Sequence, residues 1–147
     1  MRQLRSRAIA GIAIAIILFL SGARAGAFQG EPDGYDGMSW GTPLDSVTVS
    51  MEYAGTRGGT PDTVVYRRTG GGLMFGAAHL KAIEYGFTVG KLTVVTLKVD
   101  SLLQYLLMKE EALRRFGPGR EADPRAERFI WEGGRTTIRL VSAFDMS

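Results

Sequence analysis

The sequence predicts an α+β fold, a two-layer domain in which a mainly antiparallel sheet of about six strands carries two helices on one face, in the order α-β-β-β-β-α-β-β. Three observations lead there. "LKAIEYGFT" and "KLTVVTLKV" are rich in apolar and β-branched residues on either side of Val89 and Gly90, the pattern of a hairpin with a tight turn. Residues 102–116 carry apolar side chains at helical spacing between a polar cap and a Gly-Pro stop. The connections between successive strands are too short for a parallel crossover, which takes a dozen or more residues, so the strands run antiparallel and both helices fall on one face.

At the N-terminus, Arg2, Arg5 and Arg7 precede an uninterrupted apolar run of 13 residues, Ala8 to Leu20, and then Ala23, Arg24 and Ala25. A basic start, a short apolar centre and an A-x-A tripeptide are the parts of a secretory signal peptide, cut after Ala25 or, as the near alternative, after Ala27. Crossing a bilayer core of about 30 Å at about 1.5 Å per residue takes roughly 20 residues, so no stable membrane span is expected after cleavage. The absence of cysteine excludes a lipid-attached anchor and any disulfide, which leaves the exported chain to stand on its own core. The expected organisation is a signal peptide over 1–25, a flexible lead-in over 26–37 and a single α+β domain over 38–147, placed in the periplasm or outside the cell.

The lead-in, "GAFQGEPDGYDG", has Gly, Asp and Pro without apolar periodicity. Its Asp33 and Asp36 lack the D-x-D-x-D-G order and distal glutamate of a calcium loop. Next, Trp40, Gly41, Thr42, Pro43 and Asp45 read as a helix start, with a hydroxyl N-cap, proline at N1 and an acidic residue at N3. The helix is expected over 43–54, with Gly55 as its stop. Val47, Val49, Met51 and Tyr53 alternate as a strand would, so a one-turn helix leading into a strand is the alternative.

Strands are expected over 63–68 and 73–75, with the glycines at 70, 71 and 72 as a turn between them. That triple glycine lacks the spacing and the Lys-Ser/Thr sequel of a phosphate cradle. In the second helix, capped by Asp100 or Ser101, the apolar stripe is read as Leu102, Leu106, Leu113 and Phe116, widened by Leu103 and Leu107. Glu110 with Arg114 and Glu111 with Arg115 are i, i+4 pairs in the favourable order. A polar loop over 119–127 then leads to strands over 128–132 and 135–144, joined by a turn at Gly133 and Gly134.

With the elements placed, the chain resembles a group of small exported bacterial α/β proteins of unassigned function. The resemblance rests on the Trp-Gly-Thr-Pro-x-Asp-Ser-Val start from Trp40 to Val47, a hairpin ending in Gly90-Lys91-Leu92, a helix closing on Phe116-Gly117-Pro118, and the tryptophan strand Phe129-Ile130-Trp131. In architecture it is similar to the helix-plus-sheet modules of outer-membrane assembly lipoproteins and of β-lactamase inhibitor proteins. It departs from the first in having no lipid-attachment cysteine and from the second in having no disulfides, so the resemblance carries no activity across.

Charge narrows the partners. Four of the 18 basic residues lie in the leader, leaving 14 against 15 acidic residues, so nucleic acid and anionic membrane are not expected as partners. His79 is the single histidine, and Ser46, Ser50 and Ser101 sit at caps or on helix faces, so nucleophilic catalysis lacks its constellation. One histidine without cysteine leaves a transition metal only carboxylates, and no cofactor motif is present, so none is expected. Glu52, Glu84 and Glu132 could supply paired carboxylates for a hydrolase, without any spacing to recommend them. Trp40 and Trp131 are expected to pack, Trp40 as a lid over the first helix. Arg67, Arg68, Arg135 and Arg139 are the candidate interaction surface.

The expected function is a non-enzymatic exported domain that binds another envelope or secreted protein through the open face or edge of its sheet. The alternative is a small-molecule or lipid binder with an apolar pocket between helices and sheet, lined by Phe87, Val95, Leu102 and Leu106. An unrecognised hydrolase is third.

Overall fold

The computed structural model describes residues 13–20, 27–68, 72–123 and 128–143. In chain order the strands are β1 (Ala13–Leu20), β2 (Gly34–Tyr35), β3 (Met38–Ser39), β4 (Glu52–Arg57), β5 (Thr63–Arg68), β6 (Met74–Phe75), β7 (Ala78–His79), β8 (Ala82–Thr88) and β9 (Lys91–Val99). The helix α1 (Leu102–Phe116) follows, then β10 (Arg120–Asp123), β11 (Arg128–Glu132) and β12 (Thr136–Ala143). Eight strands form one antiparallel sheet in the order β10-β11-β12-β1-β9-β8-β5-β4, while β2 with β3 and β6 with β7 make two small ribbons.

The predicted six-stranded sheet with two helices is therefore corrected to an eight-stranded sheet with one α-helix among the described residues. The helix expected over 43–54 is a single 3-10 turn, Leu44–Ser46, after which the chain is extended from Val47 (φ −76°, ψ 125°) into β4. Local start signals lose here to pairing. Gly41 N donates to Leu92 O (2.9 Å), Leu92 N to Thr42 O (3.0 Å) and Leu44 N to Gly90 O (2.9 Å), so the backbone of 41–44 is held as a strand-like border on β9. The β-branched residues that follow suit extension, and tertiary pairing overrides weak helical propensity. The one-turn alternative describes what forms.

Part of the apolar run lies in the sheet. Residues 13–20 are β1, a central strand paired antiparallel with β12 on one side and with β9 on the other. Its Ile16 and Leu18 are fully buried in the core beside Val95, Leu97, Ile138 and Leu140. The basic residues at 2, 5 and 7 and the tripeptide at 23–25 lie outside the described residues, as do Gly70 and Gly71.

The hairpin of β8 and β9 forms as predicted, with Thr88 opposite Lys91. Helix α1 also forms, capped by Ser101, whose hydroxyl accepts from Gln104 N (3.2 Å). Its buried face, however, is Tyr105, Met108, Ala112 and Phe116. Leu102, Leu103 and Leu106 of the predicted stripe are 55%, 63% and 50% exposed. Glu111 pairs with Arg115 as expected, and Arg114 also pairs with Glu111. The turn between β11 and β12 is shifted by one residue: Gly133 N donates to Thr136 O (3.0 Å), leaving Gly134 and Arg135 at the tip. Part of the expected loop over 119–127 is strand β10.

The segment after residue 26, expected as a flexible lead-in, is tied down. Phe28 meets Phe116 edge-on at 5.8 Å, and Gln29 Nε2 donates to the helix-terminal carbonyl of Arg114 (3.2 Å). Glu31 Oε1 accepts from Arg135 N (2.7 Å) and Thr136 N (2.9 Å), fastening the segment to the start of β12.

Candidate binding face

Alternation along each strand sorts the sheet into two faces. One carries Ile16, Leu18, Ile83, Tyr85, Leu97, Trp131 and Leu140 and is covered by α1, by Met38 of β3 and by Phe75 and Ala78 of the β6–β7 ribbon. The cross-strand register places the other face in rows. One row crosses all eight strands as Arg120, Ile130, Arg139, Ile17, Thr96, Glu84, Arg67 and Glu52. A neighbouring row holds Thr137, Phe19, Val94, Gly86 and Val65. This face is the candidate site.

Its electrostatic centre is Glu84, whose side chain is 5% exposed beneath Lys98, Arg67 (3.3 Å) and Arg57 (3.7 Å). Those three cations are 39%, 44% and 53% exposed, so they cover the carboxylate and face solvent with their remaining donors. Burial alone would raise the Glu84 pKa, but hydrogen bonding and charge from Lys98 and then Arg67 outweigh it and hold the carboxyl below its ordinary range. One anion under three cations leaves the patch net positive. Beside it, hydroxyls link Thr63 to Thr88 (3.0 Å) and Thr88 to Thr93 (2.8 Å). Gly86 is required between them, because a Cβ there would stand 2.2 Å from Val94 Cγ1. Across β9 and β1, the Arg139 guanidinium lies 5.0 Å from the Phe19 ring centroid, a second cation on the same face.

The four arginines expected to form one surface are thus divided. Arg67 and Arg139 share the open face but stand four strand spacings apart, about 19 Å. Arg68 is bound to Asp36 (2.6 Å), and Arg135 sits at the β11–β12 turn, paired with Asp33 (2.8 Å). Arg57 and Lys98 complete the cationic patch, and sequence reasoning missed them, since only the register brings 57, 67 and 98 around Glu84.

The remaining candidates have structural surroundings. Trp40 does not cover a helix. It is half-buried against the core, and its Nε1 donates to Thr136 Oγ1 (2.8 Å), which in turn donates to Pro32 O. Thr42 is not an N-cap: its hydroxyl donates to Ser39 O (2.7 Å), and Pro43 holds the cap position without a side-chain bond. Gly41 has φ +83°, a left-handed turn that suits glycine. Asp45 lies in the 3-10 turn. Trp131 is buried and donates to Gly117 O (2.9 Å). His79 is exposed on β7, and its backbone N–H donates to Gln104 Oε1 (2.7 Å). Glu52 and Glu132 share the open face with Glu84 but sit on β4 and β11, toward opposite edges of the sheet. Among the described residues, no three His, Cys, Asp or Glu side chains converge as metal ligands.

The cavity expected between helix and sheet does not form where it was placed. Phe87 and Val95 are fully buried in a packed core, and Leu102 and Leu106 point away from it. A pocket of about 290 Å³ lies elsewhere, between Leu18, Pro32, Tyr35, Phe75 and Phe116, with Arg115 at its wall. That guanidinium is already engaged, bonded to Glu111 (2.6 Å) and stacked 4.3 Å from the Phe75 centroid. Burial, with Asp36 and Tyr85 nearby, pushes the Tyr35 phenol up to about 12, so it is a neutral wall of this pocket at physiological pH.

Fold and face define the class: an antiparallel-sheet domain with one side filled and the other presenting a charged, half-apolar surface. Comparison with protein-family models, with curated proteins and with solved structures found no match. Among the described residues no helix is long and apolar enough to cross a membrane.

Proposed function

We propose that the protein is an exported, non-enzymatic domain that binds another envelope or secreted protein on the open face of its sheet. The observation that carries this reading is the division of the sheet, with a filled core on one side and a broad face with solvent-facing Arg57, Arg67, Lys98 and Arg139 on the other. A face of this kind favours a partner surface with carboxylates, which the cations would recognise through charge-assisted hydrogen bonds. The basic-apolar-small order of residues 2–25 supports export.

The test is a change of charge on exposed groups. Arg139→Glu combined with Arg57→Gln, which leaves Lys98 and Arg67 on Glu84 and puts no second anion beside it, should abolish salt-sensitive capture of a partner from envelope extract while leaving the denaturant midpoint nearly unchanged. Capture that persists at wild-type strength would defeat the assignment of this face. A second reading, a binder of small apolar ligands, has the 290 Å³ pocket in its favour. It is the weaker one, because that volume is at the small end for ligand pockets and its one cation is already paired.

A further inference from the structure

Strand β1 occupies an unusual place. It runs antiparallel to β9 and to β12, so those two strands are parallel to each other and no other strand joins them. The residues that fill this position, 13–20, are the apolar centre of a segment with the layout of a removable leader. Cleavage after Ala25 or Ala27 would separate the strand covalently from the sheet it completes. The two edges it bonds would then face each other across a strand-wide slot, about 9–10 Å between strand axes.

A wedge independent of β1 holds that slot open. Where β1 ends, opposite Val94 on β9 and Thr136 on β12, the segment 41–44 takes its place. Its backbone bonds β9 through Gly41, Thr42 and Leu44, and the Trp40 indole reaches across to Thr136 of β12. Glu31 and Pro32 hold the same end of β12. These contacts keep β9 and β12 one strand apart at one end, which opposes their closing into a direct parallel pair.

We infer that the β9–β12 slot is a strand-acceptor site, filled by the leader in the precursor and, once the leader is cut, by an apolar β-strand of the partner protein. This rests on the reading of an exported, processed domain that binds an envelope or secreted protein. The chemistry of the incoming strand is set by the groups β1 now meets: an uncharged extended segment antiparallel to both edges, with bulky aliphatics at alternate positions to fill the sites of Ile16 and Leu18 and a small residue at the site of Ala15. Main-chain hydrogen bonds to both edges supply affinity, and the two core pockets supply selectivity.

The test uses the full chain with a protease site substituted for residues 22–26. Folded protein is cut, and the N-terminal fragment is followed by size exclusion before and after adding the peptide AIAIILFL flanked by two lysines at each end. The expected result is that the fragment stays with the remainder after cutting and is displaced by excess peptide one for one, whereas a peptide carrying Asp at the positions of Ile16 and Leu18 displaces none. A fragment that leaves a folded remainder indifferent to the peptide would overturn the inference, because the slot would have closed. A remainder that unfolds and is not restored by the peptide would overturn it as well. The intact mass of the protein recovered outside the cytoplasm separates this outcome from failure of the export reading: retention of Met1 defeats cleavage and leaves the exchange result standing.

Discussion

At Glu84, the three cations that surround a buried carboxylate make stability depend on pH in a defined direction. Glu84 is held below its ordinary pKa, and Glu111 is brought down to about 2 by its hydrogen bond with Arg114 and then by Arg115, against the opposing effect of burial. A depressed carboxylate stabilises the fold fully above its unfolded-state value, about 4.3, and loses that contribution as pH falls through the folded value. The denaturant midpoint should therefore hold steady from pH 7 to 5 and fall below about pH 4.5. Glu84→Gln should lower the midpoint at pH 7 and flatten the acid limb, and an acid limb unchanged by Glu84→Gln would show that the cluster contributes nothing. Trp40 is a second informative residue. Being half-buried, it should cost about 2 kcal/mol on truncation to alanine, less than the about 3–5 kcal/mol of a fully buried aromatic. Trp40→Phe, which keeps most of the ring and loses the bond to Thr136, should cost about 1 kcal/mol. Equal losses for both variants in urea titrations would assign the whole effect to the hydrogen bond.

Elements were legible in the sequence to the extent that their signals were redundant. The β8–β9 hairpin carries β-rich runs on both strands and a turn between them, and each cue demands the same structure. Helix α1 carries cap, period and stop, but its face is legible only in part: Phe116 is buried and Leu107 and Leu113 pack on the core, while Tyr105, Met108 and Ala112 take the buried places expected of Leu102, Leu103 and Leu106, which lie outside. A stripe counted by hydrophobicity alone favours Leu, whereas the sheet beneath selects by shape. Met108→Ala should accordingly cost about 2–5 kcal/mol, and Leu103→Lys within about 0.5 kcal/mol, by equilibrium unfolding of the purified protein. The reverse order would restore the stripe read from the sequence. The first helix failed for another reason. Thr42, Pro43 and Asp45 are start signals, but what decides 41–44 is a set of bonds to Gly90 and Leu92, some fifty residues away, which no local pattern encodes.

In the whole molecule the candidate face was legible only in part. Arg67 and Arg139 are among the four arginines named from the sequence, but that Arg57 and Lys98 converge on Glu84 depends on the bulge between Tyr53 and Gly55 and on the register of four strands. The apolar run of 13 residues reads as a leader because its flanks and length fit one; its β-branched Ile residues also suit a central strand, in which Ile16 and Leu18 are buried on one face and Ile17 and Phe19 are half-buried on the other. The two readings predict different hydrogen exchange. In the full chain the alternate amides of 94–99 in β9 and of 137–143 in β12 that face β1 should exchange among the slowest, with the β8–β9 pairs. In a chain beginning at Gly26, those rim amides alone should lose protection, while the β8–β9 and β11–β12 pairs keep theirs. Addition of a matching apolar strand should restore the rim. Rim amides equally slow in both chains would mean that β9 and β12 find each other without a third strand, and the wedge at 41–44 would then be a simple border and not a spacer.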